Sequence, residues 1–178
     1  MNKFFLFILL ICSLNSCTEI PVRKPINTSK KTFLEGSVER NIKINKRQQQ
    51  RFKKIIARDS LLNYKSSATG FWYAYILYSK NRVVPKRGDM VSFNYKIEDL
   101  NGSTLYDEME LGTVNYLVDK EELLPALRLA IKFLSLNEVA TFLFPSYLCY
   151  GYQGDGEKVE INQPLRITIK LISHSIKN

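Results

Sequence analysis

The residues able to do chemistry in this chain are few, and their types exclude more than they permit. Its 178 residues contain one histidine, His174, and three cysteines, Cys12, Cys17 and Cys149. A histidine general base, a His-rich metal site or a Ser–His or Cys–His nucleophile would each have to use His174. That residue follows a terminal strand pattern and reads as a surface side chain. Cys12 and Cys17 fall in an apolar leader, which leaves one thiol and no internal disulfide framework. Cys149 reads as a small buried hydrophobe. Asp155 and Glu157, in the glycine-rich run GYQGDGEK, read as solvated carboxylates of a loop, so no metal and no cofactor is expected. Asp107, just after a hairpin, reads from its position alone as a solvated turn residue.

The leader has its own chemistry. Lys3 precedes the eleven-residue apolar run FFLFILLICSL, which as a helix spans only about half of a ~30 Å hydrocarbon core. It is read as the core of a signal peptide, residues 1–16. Leu14-Asn15-Ser16-Cys17 resembles the lipobox of bacterial lipoproteins, in which the cysteine takes the lipid. Asn15 departs from the small residue usual at its position. Acylation of Cys17 would tie the protein durably to a membrane, since several acyl chains hold where one is marginal. With Thr18 next and no acidic cluster behind it, the expected place is the periplasm-facing outer membrane of the cell envelope.

The net charge of +9 is confined to one stretch: residues 21–60 carry 12 basic and 3 acidic groups, whereas residues 61–178 carry 13 of each. The excess therefore belongs to the segment behind the leader and not to the folded remainder. Nucleic acid is excluded by compartment, because an exported chain does not meet it. Residues 17–45, with PVRKPINTSKK in them, read as an extended lipidated tether. Over 46–66, Phe52, Ile55, Ile56 and Leu62 recur at helical spacing, which predicts an amphipathic helix with a basic outer face. Three uses of that helix stay open: packing on the domain behind it, lying on anionic headgroups, or docking a partner.

From residue 70 the period becomes two, and 70–178 is taken as the folded domain. FWYAYILY at 71–78 is a strand candidate. Along 90–100, Val91, Phe93, Tyr95 and Ile97 share one face. Asn101-Gly102 offers two positive-φ residues for a tight hairpin turn. Further strands are predicted at 103–106, 113–118, 138–144 and 165–172. A helix over 125–134 starts with Pro125 in its first position and buries Leu127, Ala130, Ile131 and Leu134. The fold class is α+β, an antiparallel sheet of about five strands wrapped on one short helix and preceded by the amphipathic helix.

Several segments in joint register resemble the FKBP-type peptidyl-prolyl cis–trans isomerases. They are Pro85-Lys86-Arg87-Gly88-Asp89, VSFNY ending at Tyr95, Asn101-Gly102, Tyr106-Asp107, the run LLPAL at 123–127, Phe144-Pro145-Ser146, Tyr150-Gly151 and the closing LRITIKL. The match covers about residues 71–175. With the lipobox, the basic helix and the GFWY strand, the chain is most similar to the gliding-motility-associated FKBP-type lipoproteins. The resemblance implies a pocket tyrosine, Tyr95, hydrogen-bonded to a pocket aspartate, Asp107. It implies an aromatic wall at Tyr106, a rim pair at Leu123 and Leu124, and Tyr150 as donor to the substrate carbonyl. Leu127 holds the place of the family's floor tryptophan, and Val114 and Ile167 stand where Phe is common. An ungapped count puts Val159 at a further rim position, with Ile161 reached by a small shift.

That resemblance implies chemistry needing no nucleophile, metal or cofactor. An Xaa-Pro bond is trapped behind a barrier of roughly 18–20 kcal/mol because its planar amide is conjugated and charge-separated. A dry apolar pocket favours the twisted state, in which much of that polarity is gone. The expected function is a lipid-anchored isomerase acting on proline-containing polypeptides and assisting exported or envelope proteins, including partners in a gliding or secretion apparatus. The alternative from another class is a chaperone or protein-binding module on the same fold with little isomerase activity.

Overall fold

The computed structural model describes residues 28–176, and the signal peptide, Cys17 and the first part of the tether lie outside them. By contact the chain divides into two units, 1–38 and 39–178, and the second carries the sheet, its cores and the candidate site. Helix α1 is Thr28–Arg58. It begins within the stretch read as an extended tether and stops before the end expected for the amphipathic segment. Its end is set by Asp59, whose carboxylate accepts the backbone N–H groups of Leu61 and Leu62 at 3.2 and 3.3 Å and turns the chain away. Among the described residues no helix is long and apolar enough to cross a membrane.

The strands are β1 (Lys65–Ser66), β2 (Trp72–Leu77), β3 (Met90–Glu98), β4 (Thr104–Tyr106), β5 (Val114–Leu117), β6 (Val139–Phe144) and β7 (Leu165–Ser175). They form one antiparallel sheet in the order β1-β2-β6-β7-β3-β4, with β5 also paired to β3. Seven strands stand where about five were expected, the two-residue β1 being the piece too short to show a period. Two short helices complete the domain, α2 (Glu108–Leu111) and α3 (Pro125–Ile131). Leu134 stays buried although α3 ends three residues earlier, because Phe133 and Leu134 continue in tight turns that donate to Ala130 and Ile131.

The period-two strands bury one face under α3. Val91, Phe93 and Ile97 of β3, Leu165, Ile167, Ile169 and Leu171 of β7, and Ala140, Phe142 and Phe144 of β6 meet Leu127, Ala130 and Ile131 in one core. The opposite face carries a smaller core, in which Phe52 of α1 packs with Ala74, Leu143, Leu100 and Tyr64. Of the three uses left open for the helix, packing on the domain is the one the contacts show. Two glutamines fasten it. The Gln48 amide donates to Ser146 Oγ and to the Asn162 carbonyl, both at 2.9 Å, and accepts the Ser146 N–H at 3.0 Å. Gln49 donates to the Gly70 carbonyl at 2.6 Å and accepts the Trp72 indole N–H at 2.9 Å.

The hairpin between β3 and β4 differs from its expected form: Gly102 has φ 95°, but Asn101 is not in the left-handed region. Asp99 supplies what a second left-handed residue would have given. Its Oδ1 accepts the N–H groups of Asn101 and Ser103, each at 2.8 Å, and the pairing slips by one residue between Ile97 and Glu98. Burial alone would raise the Asp99 carboxyl, but the N–H groups of Ser103, Asn101 and Gly102 outweigh it and hold it low. His174, read as a surface residue, lies within β7 with its Nε2 2.8 Å from Asp89 Oδ2, both side chains nearly buried.

Candidate functional site

Pairing across the sheet gathers most of the expected site residues on the face that packs under α3. Ile97 is flanked by Tyr106 on β4 and Ile167 on β7, and Phe93 by Val114 on β5, so these side chains sit in adjacent rows of one face. Tyr95, two residues from Phe93 on β3, points the same way, their ring centroids 5.8 Å apart. Leu127, Ile167 and Val159 are buried in the core at this place. Tyr95, Tyr106, Val114, Leu123, Leu124 and Tyr150 are half-buried against the same core and surround them. Leu124 is the residue before α3, and Pro125 in the first turn fixes its backbone without needing a side-chain cap.

Tyr150 follows the 3₁₀ turn Ser146–Leu148 and precedes Gly151, whose φ of 61° bends the chain into the loop 151–164. Asp155 organises that loop. Its Oδ1 accepts the backbone N–H groups of Glu157, Lys158 and Val159 at 2.8–3.0 Å, and its Oδ2 accepts the Tyr106 hydroxyl at 2.6 Å. Burial alone would raise the Asp155 carboxyl, but the Tyr106 hydroxyl and those three N–H groups hold it below the usual carboxylate range. The same bond, followed by burial, raises the Tyr106 phenol. A Cβ on Gly154 would sit 2.4 Å from the Val159 carbonyl oxygen, so this close return of the loop requires glycine. Lys158 then lies over the Tyr106 ring, 4.5 Å from its centroid, and pairs with Glu110.

Asp155 thus corrects the reading of that loop, because one of its two carboxylates is a structural clamp. Asp107 corrects a second expectation. It is exposed, and its Oδ1 accepts the Glu110 N–H at 2.8 Å as the N-cap of α2, with no bond to Tyr95. The spacing Asp107-Glu108-Met109-Glu110, a capping carboxylate with an acid three residues on, is the sequence signal for this role. Of the two rim candidates, Val159 is 4% exposed and belongs to the core, while Ile161 is 66% exposed. Cys149 is buried beneath Tyr150, and burial pushes its thiol up, away from thiolate chemistry.

Two polar groups remain available among these side chains. Neither the Tyr95 nor the Tyr150 hydroxyl has a hydrogen-bond partner among the described residues. Burial raises the Tyr95 phenol. Burial, followed by the neighbouring Tyr95 and Asp155, pushes Tyr150 up to about 12. Both are therefore neutral O–H donors at any physiological pH. Among the described residues no three His, Cys, Asp or Glu side chains gather to hold a metal ion. An apolar cluster carrying neutral phenol donors suits uncharged polar groups flanked by apolar atoms better than charged ones.

Fold and site together define a small α+β domain with a cluster of aromatic and aliphatic side chains beside its short helix α3. Residues 82–172, half of the chain, match the family model of the FKBP-type peptidyl-prolyl cis-trans isomerases, and the chain belongs to that family. It is 27% identical over 131 residues to the probable FKBP-type peptidyl-prolyl cis-trans isomerase FkpA of Neisseria meningitidis serogroup B. That alignment covers 73% of this chain and 46% of the relative, so the chain spans about half the length of the curated protein it matches. Two crystal structures share the fold. A peptidyl-prolyl cis-trans isomerase from Pseudomonas syringae pv. tomato superposes with a TM-score of 0.61 at 17% identity, over 75% of this chain and 94% of its own. FkpA from Escherichia coli superposes with a TM-score of 0.60 at 18% identity, over 98% of this chain and 83% of its own.

Proposed function

We propose that this FKBP-type domain accelerates cis–trans exchange of Xaa-Pro bonds in polypeptides of the cell envelope, and that a lipid on Cys17 holds it there. The observation that carries the reading is the pair of unpartnered phenol hydroxyls, Tyr95 and Tyr150, above the floor of Leu127, Val159 and Ile167. The prolyl ring sits on that floor, where the twisted amide, having lost conjugation and polarity, is favoured over the planar one. Tyr150 donates to a carbonyl of the substrate and fixes its orientation. Asp155 acts through Tyr106, as a positioning residue that keeps the wall rigid.

The family residues expected to catalyse are Asp107, Tyr150 and Tyr95. The second reading, a chaperone or binding module, is favoured by two specific features: Leu127 stands where the family's tryptophan forms the floor, and Asp107 faces solvent. Refolding of a protein whose slow phase is prolyl isomerisation separates the two, because that phase takes tens of seconds uncatalysed. The isomerase reading expects the phase to shorten in proportion to catalyst concentration. A binding module would slow refolding or change only its yield.

The anchor reading rests on Leu14-Asn15-Ser16-Cys17, and the same reading supports assistance to exported proteins, including those of a gliding-motility or secretion apparatus, from the periplasm-facing outer membrane. In cells fed a labelled fatty acid, the wild-type protein should carry label and Cys17→Ala should lose it. Label retained by the variant would remove the anchor from the proposal.

A further inference from the structure

Packing on the domain uses the apolar side of α1 and leaves its basic side uncovered. Phe52, Ile55 and Ile56 pack in the smaller core, whereas Arg51, Lys54 and Arg58 stand at i, i+3 and i+7 along one flank and are exposed. With Arg166 of β7 they line a hollow of about 590 Å³. None of these four cations forms an ion pair among the described residues. The carboxylate in the lining, Asp59, is committed elsewhere: its Oδ1 accepts the N–H groups of Leu61 and Leu62, and its Oδ2 accepts the Tyr64 hydroxyl at 3.4 Å. Glu98 stands opposite Arg166 in the pairing of β3 with β7, and its carboxylate accepts from Lys96 at 3.0 Å. The Arg166 Nε is buried and has no hydrogen-bond partner among the described residues, so this residue adds charge to the hollow and not a bond through that atom.

We propose that this hollow binds the phosphate of an anionic phospholipid headgroup, so that the domain rests on a membrane by the basic side of α1. Three observations point to that occupant. Four cations against one carboxylate call for an anion, and the exposed Arg51 and Arg58 carry guanidinium forks that match the oxygens of a phosphate. The volume is that of a pocket for a small organic molecule rather than for a single ion. Apolar atoms accompany the charge: Ile55 and Leu100 line the same hollow, and Leu61, two residues beyond Asp59, is 92% exposed. A phosphate joined to acyl chains makes use of such neighbours, whereas a free phosphate does not. The inference is independent of the isomerase reading, and it holds whether or not Cys17 is acylated.

The test uses the full chain as Cys17→Ala, which removes any acyl anchor, with vesicles of phosphatidylcholine alone or in equimolar mixture with phosphatidylglycerol. The apolar leader partitions into both, so the readout is the ratio of the two partition coefficients, anionic over zwitterionic. The triple variant Arg51→Gln, Lys54→Gln, Arg58→Gln should lower that ratio about 100-fold, each charge near an anionic surface counting about fivefold. Lys80, Lys86 and Lys120 are exposed and do not line the hollow. Changing all three to Gln removes the same charge and should lower the ratio by less than about threefold, because charges beyond a Debye length from the surface are screened. Equal losses in the two triple variants, or no preference of the parent chain for anionic vesicles, would overturn the site. A second measurement needs no change in the hollow. Monomeric dihexanoyl phosphatidylglycerol should shift the amide NMR signals of Lys54, Arg58, Asn101 and Arg166, and dihexanoyl phosphatidylcholine should leave them in place. Inorganic phosphate giving the same shifts at the same concentration would assign the hollow to a free anion and overturn the lipid.

Discussion

Asp155 holds the Tyr106 hydroxyl and three backbone N–H groups, whereas Asp107 holds a single N–H at the surface, and their substitutions should part accordingly. Asp107→Ala is expected to cost about 1 kcal/mol of stability, as a lost helix cap does. It should leave kcat/KM within about threefold of wild type. Asp155→Ala should lower kcat/KM by about tenfold, equivalent to about 1.4 kcal/mol at the transition state. Steady-state kinetics of both variants beside urea unfolding check the pair, and a larger kinetic loss at Asp107 than at Asp155 would contradict the site described. The pH profile turns on individual side chains as well. Tyr150, raised to about 12, remains a neutral donor through pH 9, so activity should be flat from pH 6 to 9. Asp155 is depressed in the folded state, so its contribution to stability is present above the unfolded carboxylate value of about 3.9 and is lost as pH falls through the folded one. Urea midpoints at pH 7 and pH 3 should therefore differ less in Asp155→Asn than in wild type. Tyr95, Tyr106, Tyr150 and Leu127 were legible because residue type and register survive in one dimension. The bond between Tyr106 and Asp155 was not, since it spans a 49-residue separation closed by the loop 151–164.

Among the elements, α1 and a buried ion pair carry the stability that the sheet alone does not explain. Phe52 is fully buried in the smaller core, and Phe52→Ala should cost about 3–5 kcal/mol. Glu138 is fully buried, meets Arg82 at 2.9 and 3.0 Å, and accepts the N–H groups of Ser79 and Ser135. Removing it as Glu138→Ala leaves Arg82 without its counterion and should cost about 3–5 kcal/mol in denaturant unfolding. A loss below about 1 kcal/mol in either variant would mean that these contacts are not maintained in solution. The strands and α3 could be read from period and proline placement because each has one apolar face. The helix over 28–45 could not, because its apolar positions are sparse there. Gln48 and Gln49 lie in a QQQ run that offers no period, and their partners are 21–114 residues away. The Arg82–Glu138 pair was invisible for the same reason, being closed only when β6 meets the segment after β2.

For the molecule as a whole, the charge excess of residues 21–60 straddles a boundary that composition placed near residue 70 and contacts place at residue 39. Much of the basic stretch is therefore part of the folded unit: Arg51, Lys54 and Arg58 of α1 line a hollow of about 590 Å³ together with Arg166 of β7. A chain lacking residues 1–38 should melt at the wild-type temperature, whereas one lacking 1–60 loses Phe52 and Gln48 and should unfold near room temperature or not fold. Equal melting of the two would restore the boundary at 70. The function proposed for the whole molecule depends on an apolar hollow, edged by Tyr95 and Tyr150, lowering the barrier to prolyl isomerisation. NMR exchange spectroscopy on an Xaa-Pro peptide reads that barrier without a coupled reaction, using catalytic amounts of the wild-type protein and of Tyr150→Phe. The wild type should raise the cis–trans exchange rate in proportion to its concentration, and Tyr150→Phe should retain no more than about a tenth of that effect, a loss of about 1.4 kcal/mol. An exchange rate unchanged by the wild-type protein, or an undiminished one with the variant, would contradict that function.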